Sequence, residues 1–167
     1  MIVIAARKYT DRIVMAADSI NLFGQTKETG NLRVKLKKIG EDFIVGAAGT
    51  SRETGLFYNY LDTHKLAAPT EAAVLNLMVE FIDFARKFDD KFWTENVYLI
   101  AYKTALFYVY DLDVIEVKEY AAIGAGEDYA LTALHLGHGP FDAVKVACDL
   151  CAFTAGPIVV DSIKTGG

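Results

Sequence analysis

Two near-continuous apolar segments at the start of the chain constrain its fold most strongly. Residues 2–6 and 13–17 are almost wholly apolar, and the polar segment between them is short enough to be a hairpin turn. A strand that is apolar on both sides belongs to a sheet that is covered on both faces. The sequence therefore predicts an architecture with layers on either side of its first sheet.

A second predicted hairpin is followed by a change of periodicity from strand to helix. Residues 32–39 and 43–47 form the hairpin, joined by residues 40–42. A first helix begins after a Thr/Ser cap near residue 50, and a second begins at residues 69–71. Both carry apolar side chains at helical spacing, which predicts an antiparallel pair lying on one sheet face. The apolar positions are Leu56, Phe57, Tyr60 and Leu61, then Val74, Leu77, Met78, Phe81, Ile82 and Ala85.

The second half of the chain also has strands followed by helices, and then a final strand. Residues 98–102, 106–110 and 114–117 read as a second antiparallel meander with tight connections. Helical periodicity then predicts one helix through Tyr129 to Leu134 and another over about residues 141–153. A closing strand is predicted at residues 157–163.

The element order predicts an α+β fold in four layers. If each helix pair packs outside and the two antiparallel sheets face each other, the result is an αββα sandwich. The sequence contains no internal repeat, low-complexity tract or linker, so residues 1–167 are predicted to form a single domain.

Composition excludes several classes of function. Hydrophobic residues make up 53% of the chain, but no apolar run approaches the roughly 18 residues of a membrane span. The start is apolar first and basic second, the reverse of a secretory signal, so we expect a cytoplasmic protein. A net charge of −5 argues against a nucleic-acid partner, and the basic residues 33–38 alternate with apolar ones as in a half-buried strand.

Five segments, in order along nearly the whole chain, resemble the successive signatures of proteasome β-subunits and of the bacterial peptidase HslV. They are VMAADS (residues 14–19), KLKKI (35–39), IVGAAG (44–49), AIGAG (122–126) and ACDLCAFT (147–154). The last of them is most similar to HslV. The resemblance implies the Ntn-hydrolase fold, in agreement with the layers predicted above.

The resemblance also implies a set of catalytic positions. In that family an N-terminal threonine hydroxyl attacks the peptide carbonyl, and the chain's own α-amino group takes up the proton. Asp18 and Lys35 correspond to the aspartate and lysine that support this amine, and Gly49 supplies a backbone N–H to the oxyanion. Asp149, in the last segment, is assigned to the catalytic set by the same resemblance. An ordinary ion pair on a strand is the alternative interpretation of Asp18 and Lys35.

The catalytic threonine of the family has no counterpart at the matching position of this sequence. With one extra residue in the first turn, Met1 stands where the family has threonine; without that insertion the position falls on Ile2. Neither side chain can attack a carbonyl. Ala125 stands where family members often carry a serine, and Glu53 where an aspartate is expected. We therefore predict a catalytically degenerate site at Met1 and Ala125. Ser51 is a weaker candidate for a substitute nucleophile.

A cation site is a further implication of the resemblance. HslV-type subunits bind a cation through backbone carbonyls spaced three apart at the end of the last helix, and Cys148, Cys151 and Thr154 hold those positions here. Oxygen ligands suit Na⁺, Mg²⁺ or Ca²⁺, and a plain frayed helix end is the alternative. The two thiols are predicted to be buried and structural, and no cofactor is required.

The resemblance also has implications for how the chain assembles and whether it is active. The resemblance implies a homo-oligomer of six- or seven-membered rings, which can be stacked, together with an AAA+ unfoldase or an active companion subunit. The predicted function is a structural or assembly role in such a ring. One alternative is an active threonine endopeptidase whose true N-terminus differs from this one, either because Met1 is engineered or because the start of the native chain is elsewhere. The other is a monomeric binding module.

Overall fold

The computed structural model describes residues 1–24, 26–28 and 30–166. Within them the chain forms eleven strands and four helices. The strands are β1 (Val3–Lys8), β2 (Arg12–Ala17), β3 (Asn21–Phe23), β4 (Thr26–Glu28), β5 (Leu36–Ile39), β6 (Phe43–Ala48), β7 (Val97–Tyr102), β8 (Ala105–Tyr110), β9 (Asp113–Val117), β10 (Tyr120–Gly124) and β11 (Val159–Lys164). The helices are α1 (Ser51–Leu61), α2 (Glu71–Ala85), α3 (Glu127–His135) and α4 (Pro140–Leu150).

Two antiparallel sheets form the centre of the molecule. One has four strands in the order β10-β1-β2-β11, and the other has five in the order β5-β6-β7-β8-β9. The short strands β3 and β4 form a separate hairpin. The five-stranded sheet has its strands in sequence order, with α1 and α2 inserted between β6 and β7, whereas the four-stranded sheet gathers strands from both ends of the sequence.

Alternating side chains of β1 show why this strand is apolar throughout. Ile4 and Ala6 point into the core between the two sheets, and Val3 and Ala5 point into the core beneath α3 and α4. A third core lies between the five-stranded sheet and the pair α1 and α2. The predicted αββα sandwich is confirmed, and the period-2 alternation of strands is its physical basis.

Helix starts agree with the predicted capping residues. Thr50 precedes α1 and accepts a hydrogen bond from the Glu53 backbone N–H at 3.4 Å. Thr70 precedes α2 and accepts from the Ala73 N–H at 3.2 Å. Each threonine oxygen satisfies one of the free N–H groups that every helix leaves at its first turn.

Several element bounds differ from the prediction. Six strands precede α1 rather than four, because β3 and β4 lie in a segment assigned to no strand. Residues 32–35 lie outside β5, and α4 ends at Leu150 instead of continuing to residue 153. Strand β10 was not predicted: it leaves the meander and pairs with β1, from Val3 opposite Gly124 to Arg7 opposite Tyr120. In the described ranges, no helix is long and apolar enough to cross a membrane.

Candidate functional site

Asp18 and Lys35 form a buried ion pair at one end of the sheets. Asp18 directly follows β2 and Lys35 directly precedes β5, so the inter-sheet packing brings them together. The Lys35 Nζ lies 2.9 Å from Asp18 Oδ1, and the side chains are 5% and 0% exposed. Asp18 Oδ1 also accepts the Val3 N–H at 2.9 Å, and Oδ2 accepts the Ala155 N–H at 3.4 Å. The carboxylate is thus fixed by two backbone segments as well as by the lysine.

Burial shifts both members of this pair toward their neutral forms. It raises the pKa of Asp18 and lowers the pKa of Lys35, because a low-dielectric site disfavours each charge. The partner charge and the hydrogen bonds act in the opposite direction on each group. Each charge is therefore kept in the interior by the other, and removing one leaves an uncompensated ion.

Met1 is the residue that lies against this pair. Lys35 Nζ donates to the Met1 carbonyl oxygen at 3.4 Å. Burial, followed by the positive charge of Lys35, lowers the pKa of the Met1 amino group. The Met1 side chain is 55% exposed, whereas Ile2 is buried in the core between the sheets. Of the two positions considered from the sequence, residue 1 is the one beside Lys35 and open to solvent.

Gly49 follows β6 in a conformation that side chains rarely adopt. Its φ is +143°, and a Cβ at this position would lie 2.1 Å from Asn96 Oδ1. The Asn96 side chain accepts the Thr50 N–H at 2.6 Å and donates to the Thr50 carbonyl at 3.1 Å and to Thr54 Oγ1 at 3.0 Å. The backbone around Gly49 is therefore clamped by one amide side chain.

A buried carboxylate holds the Asn96 backbone, and so the position of its side chain, in place. Glu53 is 3% exposed and accepts hydrogen bonds from the hydroxyls of Thr94 and Tyr98, both at 2.6 Å. It also accepts the backbone N–H groups of Glu95 and Asn96 at 2.9 and 3.2 Å. Sequence reasoning noted Glu53 only as a substitute for aspartate and missed Asn96. The polar run before apolar β7 was the available signal for this cluster.

Met1, Ile2 and Gly49 line two neighbouring cavities, and we call this pair of cavities the Met1 cleft. On one side the cavity is also lined by Arg33, Lys35 and Ser51 among others. On the other side it is lined by Ala125, Glu95 and Glu127 among others. The predicted positions Met1, Lys35, Gly49 and Ala125 thus come together around one cleft, with Asp18 beneath it.

Ser51 and Asp149 have other surroundings. The Ser51 Oγ accepts a hydrogen bond from Arg33, whose guanidinium offers only N–H donors and cannot act as a base. This contact does not support Ser51 as a substitute nucleophile. Asp149 is 59% exposed on α4 and bonds to Lys145 one turn earlier, at 2.7 Å. The structure does not bring Asp149 together with Lys35, so its predicted catalytic role has no geometric support.

The predicted cation positions lie at the end of α4. Cys151 caps the helix, and its N–H donates to the Ala147 carbonyl at 2.8 Å. Thr154 Oγ1 donates to the same carbonyl at 2.9 Å, and the Thr154 N–H donates to the Cys151 carbonyl at 3.4 Å. Burial raises the pKa of Cys148 to about 11, so its thiol stays protonated at neutral pH. Cation binding through the Cys148, Cys151 and Thr154 carbonyls stays a prediction; across the described ranges, no cluster of acidic, His and Cys side chains is arranged to hold a metal.

Gly49→Ala should destabilise the chain by about 2 kcal/mol or more, because the left-handed backbone and the contact with Asn96 both oppose a methyl group. Gly55→Ala is the matched control: Gly55 lies within α1 with no atom near its added Cβ, so that change should stabilise by about 0.5–1 kcal/mol. Urea unfolding measures both. Equal effects of the two changes would contradict the clamped geometry.

Known proteins resemble this chain over its whole length, although no family model matches it. The ATP-dependent protease subunit HslV of Caulobacter vibrioides is 28% identical over 179 aligned residues, which cover 96% of this chain and 92% of that protein. Thiobacillus denitrificans BPH in complex with epoxomicin superposes with a TM-score of 0.86 at 18% identity, covering 99% of this chain and all of that one. The eukaryotic HslV of Trypanosoma brucei gives a TM-score of 0.73 at 18% identity, covering 97% of this chain and 99% of the other.

The alignment and the fold agree with the site geometry. The full-length match to a curated HslV, the superposition on solved HslV and BPH structures, and the αββα sandwich all indicate the same group of proteins. The chain is similar to HslV over nearly its whole length and has the Ntn-hydrolase fold.

Proposed function

We propose that this chain is an HslV-like, proteasome-like subunit that has lost the peptidase nucleophile and has a structural or assembly role. The observation that carries the proposal is the identity of the residue beside the Asp18–Lys35 pair. That residue is Met1, whose carbonyl contacts Lys35 Nζ. A thioether has no proton to give up and does not attack a peptide carbonyl, and no hydroxyl replaces it at Ala125 on the other side of the cleft.

The remaining parts of the site are consistent with inactivity. Asp18 and Lys35 are both buried, so loss of either would cost several kcal/mol in stability whether or not the site is catalytic. Gly49 is held by Asn96 and Glu53, which also tie α1 to β7. A chain without a nucleophile therefore has a structural reason to keep all of these residues.

A role in assembly is supported by the relatives and by the surface. The Caulobacter relative is described as a subunit of an ATP-dependent protease. Several large apolar side chains in different parts of the chain are more than half exposed, and covering any of them with another subunit would bury apolar surface. They include Phe23, Val34, Phe88, Leu136 and Leu150. We propose a cytoplasmic homo-oligomeric ring of six or seven subunits, with an ATP-driven unfoldase or an active companion subunit as its partner.

Native mass spectrometry and a peptidase assay on the same sample test this proposal. We expect ring-sized assemblies that release no product from a fluorogenic peptide or from casein. Hydrolysis that disappears in an Asp18→Asn variant would overturn the loss of activity, and a single 18.3 kDa species would overturn the ring.

The intact Asp18–Lys35 pair favours a second candidate, an active threonine endopeptidase whose N-terminus differs from Met1. Mass spectrometry of the N-terminus in protein from its native source separates the two. Met1 as the first residue supports the inactive subunit, and a new N-terminal threonine supports the enzyme.

A further inference from the structure

The cavity on the Arg33 side of the Met1 cleft is small and carries no negative charge. Its volume is about 70 Å³, room for a few water molecules or the end of a short side chain. Its walls come from Ile20–Leu22, from the segment before β5 and from the first turn of α1. Although the chain has 22 acidic residues and a net charge of −5, none of the described residues that line the cavity is an aspartate or glutamate.

Arg33 gives this cavity an unneutralised cation. Its Nη1 donates to Ser51 Oγ, and its Nη2 donates to the Ser51 carbonyl at 3.3 Å. Over the ranges that the structure describes, no carboxylate pairs with it. A guanidinium has five N–H donors, so at least three remain for another group. Lys35 also lines the cavity, but Asp18 neutralises its charge.

The opposite side of the Met1 cleft has the reverse charge. Glu95 and Glu127 line it, and neither forms an ion pair with a described residue. Glu127 Oε2 accepts the Gly124 N–H at 3.1 Å, which fixes this carboxylate near Ala125. An anionic group entering the cleft is repelled on this side and attracted on the Arg33 side.

We propose that the Arg33 cavity binds the carboxylate of an acidic side chain, so that the Met1 cleft selects extended peptides containing Glu or Asp. The Arg33 guanidinium donates charge-assisted hydrogen bonds to the carboxylate, and Ser51 Oγ is a further polar contact. The proposal rests on the proposed function, because it takes the Met1 cleft to be the peptide-binding surface of an HslV-like subunit. It requires no hydrolysis.

Fluorescence anisotropy with matched peptides tests whether the Arg33 cavity binds an acidic side chain. The probes are fluorescein-labelled, C-terminally amidated hexapeptides that differ only in one central residue, Glu or Gln, so the side chain is the sole peptide carboxylate. We expect the Glu peptide to bind about tenfold or more tightly than the Gln peptide, as a charge-assisted hydrogen bond predicts. Arg33→Gln should remove this preference. Arg52→Gln is the control and should keep the preference for Glu. Arg52 follows Ser51 in α1, but it pairs with Asp89 and lines a different cavity.

Charge reversal gives a result that misfolding cannot imitate. Arg33→Glu should turn the preference toward a peptide with Lys at the central position, and circular dichroism checks that each variant is folded. Equal affinity of the parent for the Glu and Gln peptides, no binding of the Glu peptide at millimolar concentration, or a preference that survives Arg33→Gln would overturn the proposal. A non-amidated Gln peptide that binds as tightly as the amidated Glu peptide would also overturn it, in favour of terminal-carboxylate capture.

Different results would overturn the Arg33 proposal and the proposed function. Binding is measured without turnover, so peptide hydrolysis by the purified chain would overturn the inactive-subunit proposal and leave the Glu preference standing. Loss of the preference in a chain that still forms inactive rings would overturn only the Arg33 assignment.

Discussion

Replacing Met1 with threonine, in protein processed so that this threonine is the first residue, should raise peptide hydrolysis on the order of 100-fold or more above the parent chain. The change supplies the hydroxyl nucleophile next to an amino group whose pKa is already lowered by burial and by Lys35. Asp18, Lys35 and the Gly49 backbone need no rearrangement. The measurement is kcat/KM for a fluorogenic peptide.

Two controls separate this gain from a change in folding or assembly. Met1→Val has the branched shape of threonine without its hydroxyl, and it should leave hydrolysis at the parent level. Met1→Thr combined with Lys35→Met, in protein that circular dichroism shows to be folded, should also fail to gain, because the charge beside the amine is removed. A folded, assembled Met1→Thr variant with no activity would contradict the inference that the nucleophile is the principal missing part.

Asp18→Asn should destabilise the chain by about 3–5 kcal/mol, because it leaves the Lys35 ammonium buried without its counter-ion. Asparagine keeps an oxygen for the Val3 N–H but puts an NH2 group where Oδ2 accepts the Ala155 N–H, so the measured loss includes that long hydrogen bond as well as the charge. Lys35→Met should be destabilising as well, although the Asp18 carboxylate would keep its two backbone donors. Urea unfolding at one fixed protein concentration measures each change, since assembly adds to apparent stability.

The double variant decides whether the pair acts as a unit. Asp18→Asn with Lys35→Met buries no net charge, so it should be less destabilised than the sum of the single variants by about 2 kcal/mol or more. Arg12→Gln with Asp11→Asn removes an exposed pair of the same kind and should change stability by less than about 1 kcal/mol. Additive effects at Asp18 and Lys35 would contradict a coupled buried pair.

Local patterns in the sequence predicted the strands and helices of this fold, and the family resemblance supported their arrangement in four layers. The apolar run of β1 has no polar face because one side packs on α3 and α4 and the other on the second sheet. Thr50 and Thr70 predicted the starts of α1 and α2, since capping depends on neighbouring residues alone. The order of the five family segments placed Asp18, Lys35 and Gly49 near one another before any contact was known.

The pairing of β10 required the tertiary structure. Residues 120–124 are apolar enough for a strand in either sheet, and periodicity reports which face is buried without naming the neighbouring strand. Pairing with β1 is what carries Ala125 and Glu127 to the Met1 cleft. The same limit applies to Asp149, because its direction on α4 depends on how the helix packs.

The sequence by itself determined the layered fold, the helix starts and the identity of Met1, because these depend on side-chain type and short spacing. Only the tertiary structure decided that Met1 lies against Lys35, that Asn96 and Glu53 clamp Gly49, and that the cleft is positive at Arg33 and negative at Glu127. The hydrogen bonds among these residues join positions 34 to 46 apart, and packing between layers, not local periodicity, sets which of them meet.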